Sequence, residues 1–199
     1  MKIYFHLNIE GFSNCYVIVN EMTREAIIVD PGLITTEIIN HIETGGYKLT
    51  GVLISHNHGS HVAGLATLRK IYNPKVYAAD WEVAENDTIV LKDDGSIQVA
   101  GLDVEYFSLP GHTNDSMVYK IGNVLFTGDS LSACRIGGAI SEFSERALAR
   151  NIKQKILSQT DDTVIMPGHG PPTTVGVERK FNPKLAAPKF YEEKTLENA

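Results

Sequence analysis

Leu53-Ile54-Ser55-His56-Asn57-His58-Gly59-Ser60-His61 sets three histidines directly behind an apolar run, and the reading of this stretch decides the fold. The chain has seven histidines, and two others stand in similar surroundings: His112 in Leu109-Pro110-Gly111-His112-Thr113 and His169 in Met166-Pro167-Gly168-His169-Gly170. Between these lies Asp129, in Phe126-Thr127-Gly128-Asp129-Ser130. Each follows a short apolar run beside a glycine, so all of them read as loop residues at strand ends, where a scaffold presents ligands. Along an extended chain alternate side chains share a face, which lets His56 and His58 grip one ion together. Gly59 permits a sharp turn, and Ser60 reads as the N-cap of a helix marked by Val62, Leu65, Ala66, Leu68 and Ile71. His61 then falls in the first turn and aims elsewhere. Two adjacent metal positions follow: His56, His58 and His112 at one, His61 and His169 at the other, with the Asp129 carboxylate as bridge.

In order and in context, this set resembles the metallo-β-lactamase fold superfamily, whose signature is His-x-His-x-Asp-His followed by a lone His, a bridging Asp and a final His. The phrases Pro110-Gly111-His112-Thr113, Gly128-Asp129 and Pro167-Gly168-His169-Gly170-Pro171, with Glu178-Arg179 and Asn182-Pro183, are most similar to its glyoxalase II branch in short, single-domain form. The resemblance implies an α+β fold, a four-layer αββα sandwich over residues 1–183 with a C-terminal tail at 184–199. It also implies metal ligation by His56, His58, His61, His112, Asp129 and His169, with catalytic roles for Asp129, His112 and the residue at position 60. The cofactor is then one or two divalent ions, zinc first, with iron or manganese as alternatives.

One position departs from the signature. Where the motif has Asp, this chain has Ser60. A neutral hydroxyl is a poor ligand beside anionic oxygen or imidazole nitrogen, so the second ion is expected to bind more weakly and a one-metal centre becomes the alternative. The resemblance also lets the missing aspartate accept a proton, so Ser60 should slow the chemistry.

Composition narrows the rest. At 199 residues the chain fits one domain with a core of its own, and 43% apolar with 21% charged residues is ordinary globular usage. A net charge of -6 without a basic run argues against a nucleic-acid surface. No apolar window is long enough to span a membrane and the start lacks a signal-peptide core, so a cytoplasmic location is expected. Two cysteines, Cys15 and Cys134, are too few for a disulfide framework. Cys15 reads as buried packing, Cys134 as a thiol in a loop bordering the site.

Along the chain, strands are expected at residues 2–7, 14–20, 26–30, 49–55, 75–79, 96–100, 102–109, 116–121, 124–127 and 163–166. Helices are expected at residues 35–44, 60–72, 145–159 and 173–180. Residues 80–95 read as a loop with a weak helical signal around Trp81 to Glu85, and Trp81 itself as core packing, with the lip of a substrate site as the other reading. Asp30 is either a support behind the metal site or a turn residue, and His41 a packing or surface histidine. Arg179 and Lys180 read as solvated charge, with a patch for an acidic substrate as the other reading. The function expected is a metal-dependent hydrolase of a small acyl or thioester substrate, such as a hydroxyacyl-glutathione, attacked by metal-bound hydroxide. Two alternatives stand beside it. One is mononuclear iron, persulfide dioxygenase-like chemistry on His56, His112 and Asp129; the other is a non-catalytic metal-binding module, because of Ser60.

Overall fold

The computed structural model describes residues 1–81, 83 and 88–186. Strands β1 (Lys2–Asn8), β2 (Ser13–Asn20) and β3 (Glu25–Val29) form an antiparallel meander. Helix α1 (Thr36–Gly45) then crosses over to β4 (Lys48–Leu53), which lies parallel to β3. Beyond the short helices α2 (Gly59–Val62) and α3 (Leu65–Ile71), β5 (Lys75–Ala78) and β6 (Thr88–Val90) complete a six-stranded sheet in the order β1-β2-β3-β4-β5-β6.

The second half builds the partner sheet. It contains β7 (Gly95–Val99), β8 (Leu102–Ser108), β9 (Met117–Ile121) and β10 (Val124–Gly128), followed by a small hairpin of β11 (Leu131–Ser132) and β12 (Arg135–Ile136). Helix α4 (Glu142–Asn151) widens into a π turn at Ile152–Ile156 and leads to β13 (Val164–Pro167), β14 (Thr173–Thr174) and α5 (Val175–Phe181). The sheet order is β14-β13-β10-β9-β8-β7.

Strand alternation explains the layering. All of β2 is buried, and its successive side chains feed two different cores. Cys15, Val17 and Val19 meet Ile38 and Ile42 of α1 and Leu65 and Leu68 of α3, whereas Tyr16 and Ile18 face Tyr119 and Phe126 of the other sheet. On the far side, Val118, Leu125 and Ile165 pack under Leu148, Ile152 and Ile156. Helix, sheet, sheet, helix is therefore the order of layers, the expected αββα sandwich. Caps fix the helix ends: the Thr35 hydroxyl accepts from Ile38 N at 3.3 Å, and Gly46 closes α1 with φ of 61°.

Several local expectations are corrected. The helix expected at 60–72 is split between α2 and α3, and Ser60 is not its N-cap, since His58 holds that position without a side-chain bond. Gly64 lies at the break, where its N–H donates to the Pro31 carbonyl at 2.8 Å and a Cβ would stand 2.5 Å from that oxygen. Trp81 is 72% exposed rather than core. The helical signal beside it falls largely on residues outside those described, and β6 occupies part of the expected loop. Arg179 is tied to Asp161 and to the carbonyls of Leu157 and Gln159, so it serves as a local clamp. Leu185 packs into the outer core, so ordered packing continues past residue 183, and residues 187–199 lie outside those described.

Candidate metal centre

The site forms where strand ends from both sheets meet. The segment after β4 delivers His56, His58 and His61; the turn after β8 delivers His112; Asp129 follows β10 and His169 follows β13. The ligand atoms form two groups, His56, His58, His112 and Asp129 in one and His61, Asp129 and His169 in the other, each group within 4.8 Å. Asp129 belongs to both. Its Oδ2 stands 3.8 Å from His56 Nε2, 3.8 Å from His112 Nε2 and 3.5 Å from His61 Nε2, while Oδ1 is 2.7 Å from His169 Nδ1.

The donor set suits a metal ion on an observation of its own. His61 Nδ1, His61 Nε2 and His112 Nε2 are buried without a hydrogen-bond partner, a costly state for the two inward Nε2 atoms unless another ligand is meant to be there. His112 Nδ1–H donates to the Gly138 carbonyl at 2.8 Å, which leaves Nε2 as the lone-pair nitrogen facing inward. His169 Nε2–H donates to the Gly11 carbonyl at 3.2 Å and turns Nδ1 to the site. The Ser55 hydroxyl donates to Asp30 Oδ2 at 2.7 Å and lies 3.0 Å from His56 Nδ1, so it accepts that ring N–H.

Asp30 stands behind the site, as one of its two sequence readings had it. It is buried, accepts Ser55 N at 2.7 Å through Oδ1, and brings Oδ2 to 3.2 Å from His61 Nδ1. Other supports were not read as such in the sequence, although Glu178 belongs to one of the phrases that carry the resemblance. Asp115 accepts Asn57 N at 2.7 Å. Asn14 Nδ2 donates to the carbonyls of Pro167 at 2.9 Å and Gly170 at 2.8 Å, lacing the His169 loop to β2. Buried Glu178 accepts Cys134 N at 2.9 Å and anchors the β11–β12 turn. Gly168 permits a close approach between two ligands, because a Cβ there would stand 2.6 Å from both Asp129 Oδ1 and His61 Cε1.

Ser60 lies between the two histidine groups in sequence but contributes its backbone: its carbonyl accepts the Ser13 hydroxyl at 2.7 Å. Cys15 is buried and Cys134 is exposed in the hairpin turn. His41 packs on Tyr4 and lies 3.1 Å from His6, away from the ligand set.

Electrostatics in the metal-free chain follow from these contacts. Burial, reinforced by neighbouring His61, drives the His56 pKa down to about 4. Burial lowers His58 too, with His112 adding to the effect. For His61 burial acts in the same sense, but Asp30 and then Asp129 outweigh it and push the pKa up to about 10. Burial would raise Asp129, yet His61 and then His169 hold it well below the usual carboxylate range. His56 is thus already a neutral ligand, whereas His61 must give up a proton on binding.

Two clefts meet at His112. One, of about 330 Å³, is lined by His112, Asp129, His169, Ser132, Arg135 and Gly138. The other, of about 450 Å³, is lined by His58, His112, Pro110, Ile140, Phe143 and Ala147. Among the described residues no helix is long and apolar enough to cross a membrane.

Comparison with known proteins agrees with this geometry. A family profile described as the metallo-beta-lactamase superfamily matches residues 8–86. The chain is 31% identical over 206 residues to an uncharacterized protein of Mycobacterium tuberculosis, covering 86% of this chain and 92% of that one. It is also 31% identical over 169 residues to a hydroxyacylglutathione hydrolase of Chromohalobacter salexigens, covering 81% of this chain but 64% of that protein's length. Among solved structures, the BLEG-1 B3 metallo-beta-lactamase superposes with a TM-score of 0.82 at 25% identity, covering 94% of this chain and 100% of that one.

Proposed function

Because the chain belongs to the metallo-beta-lactamase superfamily, we propose that it is a metal-dependent hydrolase of an acyl carbonyl, specifically of a thioester such as a hydroxyacyl-glutathione. The observation that carries this reading is the pair of ligand groups sharing Asp129. The likeness to the Chromohalobacter salexigens hydrolase supports the choice of thioester. When bound, one or two divalent ions, zinc first and iron or manganese otherwise, supply Lewis-acid polarisation of the carbonyl and lower the pKa of water to about 7.

The chain's own residues supply position and charge. His56 and His112 present inward nitrogens held from behind by hydrogen bonds to Ser55 and Gly138, and His61 has the Asp30 carboxylate 3.2 Å behind its Nδ1. Asp129 gives negative charge to both groups, which the depressed pKa keeps ionised at neutral pH. Ser60 adds none, so this corner lacks a carboxylate to take up a proton and turnover is expected to be slow. In the balanced reaction water adds to the carbonyl carbon, the C–S bond breaks, and the sulfur leaves as a thiol beside a carboxylic acid.

The test is release of free thiol from a hydroxyacyl-glutathione by protein reconstituted with zinc, manganese or iron, with Asp129→Asn as the inactive control. No thiol from any member of a thioester panel would overturn the reading. A second reading rests on His56 Nε2 and His112 Nε2, each 3.8 Å from Asp129 Oδ2, a two-histidine, one-carboxylate set suited to a single iron. Oxygen uptake with a persulfide, in place of thiol release, would select it. Neither activity from the metal-loaded protein would leave a metal-binding module.

A further inference from the structure

Among the described residues the two large sheets end in four edge strands, and three of them are protected. β6 has three residues and β14 two, too short to template another strand, and β7 exposes only Gly95, Ser96 and Gln98. β1 is different. It runs for seven residues without proline, pairs with β2 in unbroken register from Lys2 opposite Val19 to Asn8 opposite Ser13, and has no strand on its other side. Every second residue of β1 therefore points its N–H and C=O out of the sheet with no partner strand to meet them.

The side chains make this edge attractive to another strand. Tyr4, His6 and Asn8 turn toward α1, where Tyr4 joins the core and His6 lies 3.1 Å from His41. Ile3, Phe5 and Leu7 face the other way by alternation, Ile3 against the core between the sheets and the Phe5 ring 5.9 Å from that of Tyr16. Phe5 is 53% exposed and Leu7 47%, and the row continues past the strand ends with Met1 at 49% and Ile9 at 72%. Together they leave on the order of 400 Å² of mostly apolar surface beside the unpaired backbone, about half of the ~800 Å² that one partner gives to a standard interface before the backbone edge is counted.

The strand complements itself. Turned antiparallel about Phe5, two copies set Phe5 against Phe5, Ile3 against Leu7 and Met1 against Ile9 on one face, and Tyr4 against His6 on the other. Charge selects the same direction. Lys2 stands at one end and Glu10 just beyond the other, so antiparallel pairing brings each lysine diagonally beside the glutamate of the second copy, whereas parallel pairing would bring lysine to lysine. Lys2 is held 2.6 Å from Glu21 of its own chain, while the Glu10 carboxylate has no cation partner among the described residues.

We propose that β1 is a self-docking edge: a second copy of this chain adds antiparallel across it with Phe5 opposite Phe5, joining the two six-stranded sheets into one. The turn that follows β1 carries Gly11, whose carbonyl accepts His169 Nε2–H, so the pairing steadies one wall of the metal centre from outside. This interface stands whatever reaction the centre performs.

The experiment is sedimentation velocity on the full chain over a concentration series. The unaltered protein should shift from monomer to dimer mass as concentration rises, and Phe5→Glu should stay monomeric throughout with its far-ultraviolet spectrum unchanged. Lys2→Glu should raise the dimer dissociation constant on the order of tenfold, because two symmetry-related pairs become repulsive, and adding Glu10→Lys should restore it. A monomer at every concentration overturns the proposal, whatever else covers β1. So does a dimer that survives Phe5→Glu, or a folded double variant that stays as weak as Lys2→Glu, since neither fits strands running antiparallel across this edge. Should Phe5→Glu fail to fold, the charge exchange still decides.

Discussion

Asp30 Oδ2 lies 3.2 Å from His61 Nδ1, with both side chains buried, so a carboxylate from the end of β3 sets the orientation and charge of a histidine from the loop after β4. Asp30 itself has φ of 51°, a strained position for a non-glycine residue that the bonds to Ser55 N and Oγ help to hold. Asp30→Asn keeps the shape and removes the charge. Metal affinity, measured by competition with a chelator, is expected to fall about 10- to 100-fold. Unchanged affinity would mean that His61 needs no such support.

Ser60→Asp restores a carboxylate at the position where the superfamily signature has one. The loop backbone is already held by the bond from Ser13 Oγ to the Ser60 carbonyl, so the substitution should leave the fold in place. Elemental analysis of the variant should approach two ions per chain, with the second bound at least about tenfold more tightly than in the unaltered protein. Equal stoichiometry in both proteins would show that Ser60 does not limit the second position.

Gly168→Ala drives a methyl group to 2.6 Å from Asp129 Oδ1 and His61 Cε1. Neither neighbour is the free end of a flexible chain, so the ligands must move apart. Metal content should drop sharply, with a stability loss of about 1–3 kcal/mol by denaturant titration. Full metal retention would contradict the closeness of this packing.

The pH dependence of the metal-free chain follows from two opposed histidines. His61 titrates near 10 in the folded chain against 6.5 when unfolded, so its contribution is fully present below pH 6.5 and is lost as pH rises toward 10. His56 titrates near 4 against 6.5, so its neutral form favours folding above pH 6.5 and that advantage is lost as pH falls toward 4. Stability should therefore peak near pH 6.5. Thermal melts of chelator-treated protein check this, and His61→Ala should flatten the alkaline side. A monotonic profile would contradict the paired shifts.

Much of the architecture was legible because burial writes itself into residue type. The apolar runs behind His56, His112, Asp129 and His169 announced four strand ends, and the unbroken apolar run of β2 announced a buried strand. Short or polar elements carried no comparable signal: β11, β12 and β14 have two residues each, too few for any period to show. Ser60 looked like a cap because capping residues are recognised by type, while the break at Gly64 is imposed by the distant Pro31 carbonyl. The ligands were visible in local sequence, and Asp30 was one candidate support, but the more distant supports were not. Asp115, Asn14 and Glu178 act across 58, 153 and 44 positions, and no window of sequence contains both ends of such a bond.

The ligands also divide between the halves of the chain. His56, His58 and His61 ride on the sheet of β4, and His112, Asp129 and His169 on the sheet of β8, β10 and β13. An ion shared by residues of both sheets is a removable rivet across the sandwich: sliding one sheet past the other would stretch its bonds before it disturbed most of the apolar contacts. Pulled from its ends, the loaded chain should yield at higher force than the stripped one, and its occupancy should report mechanical load.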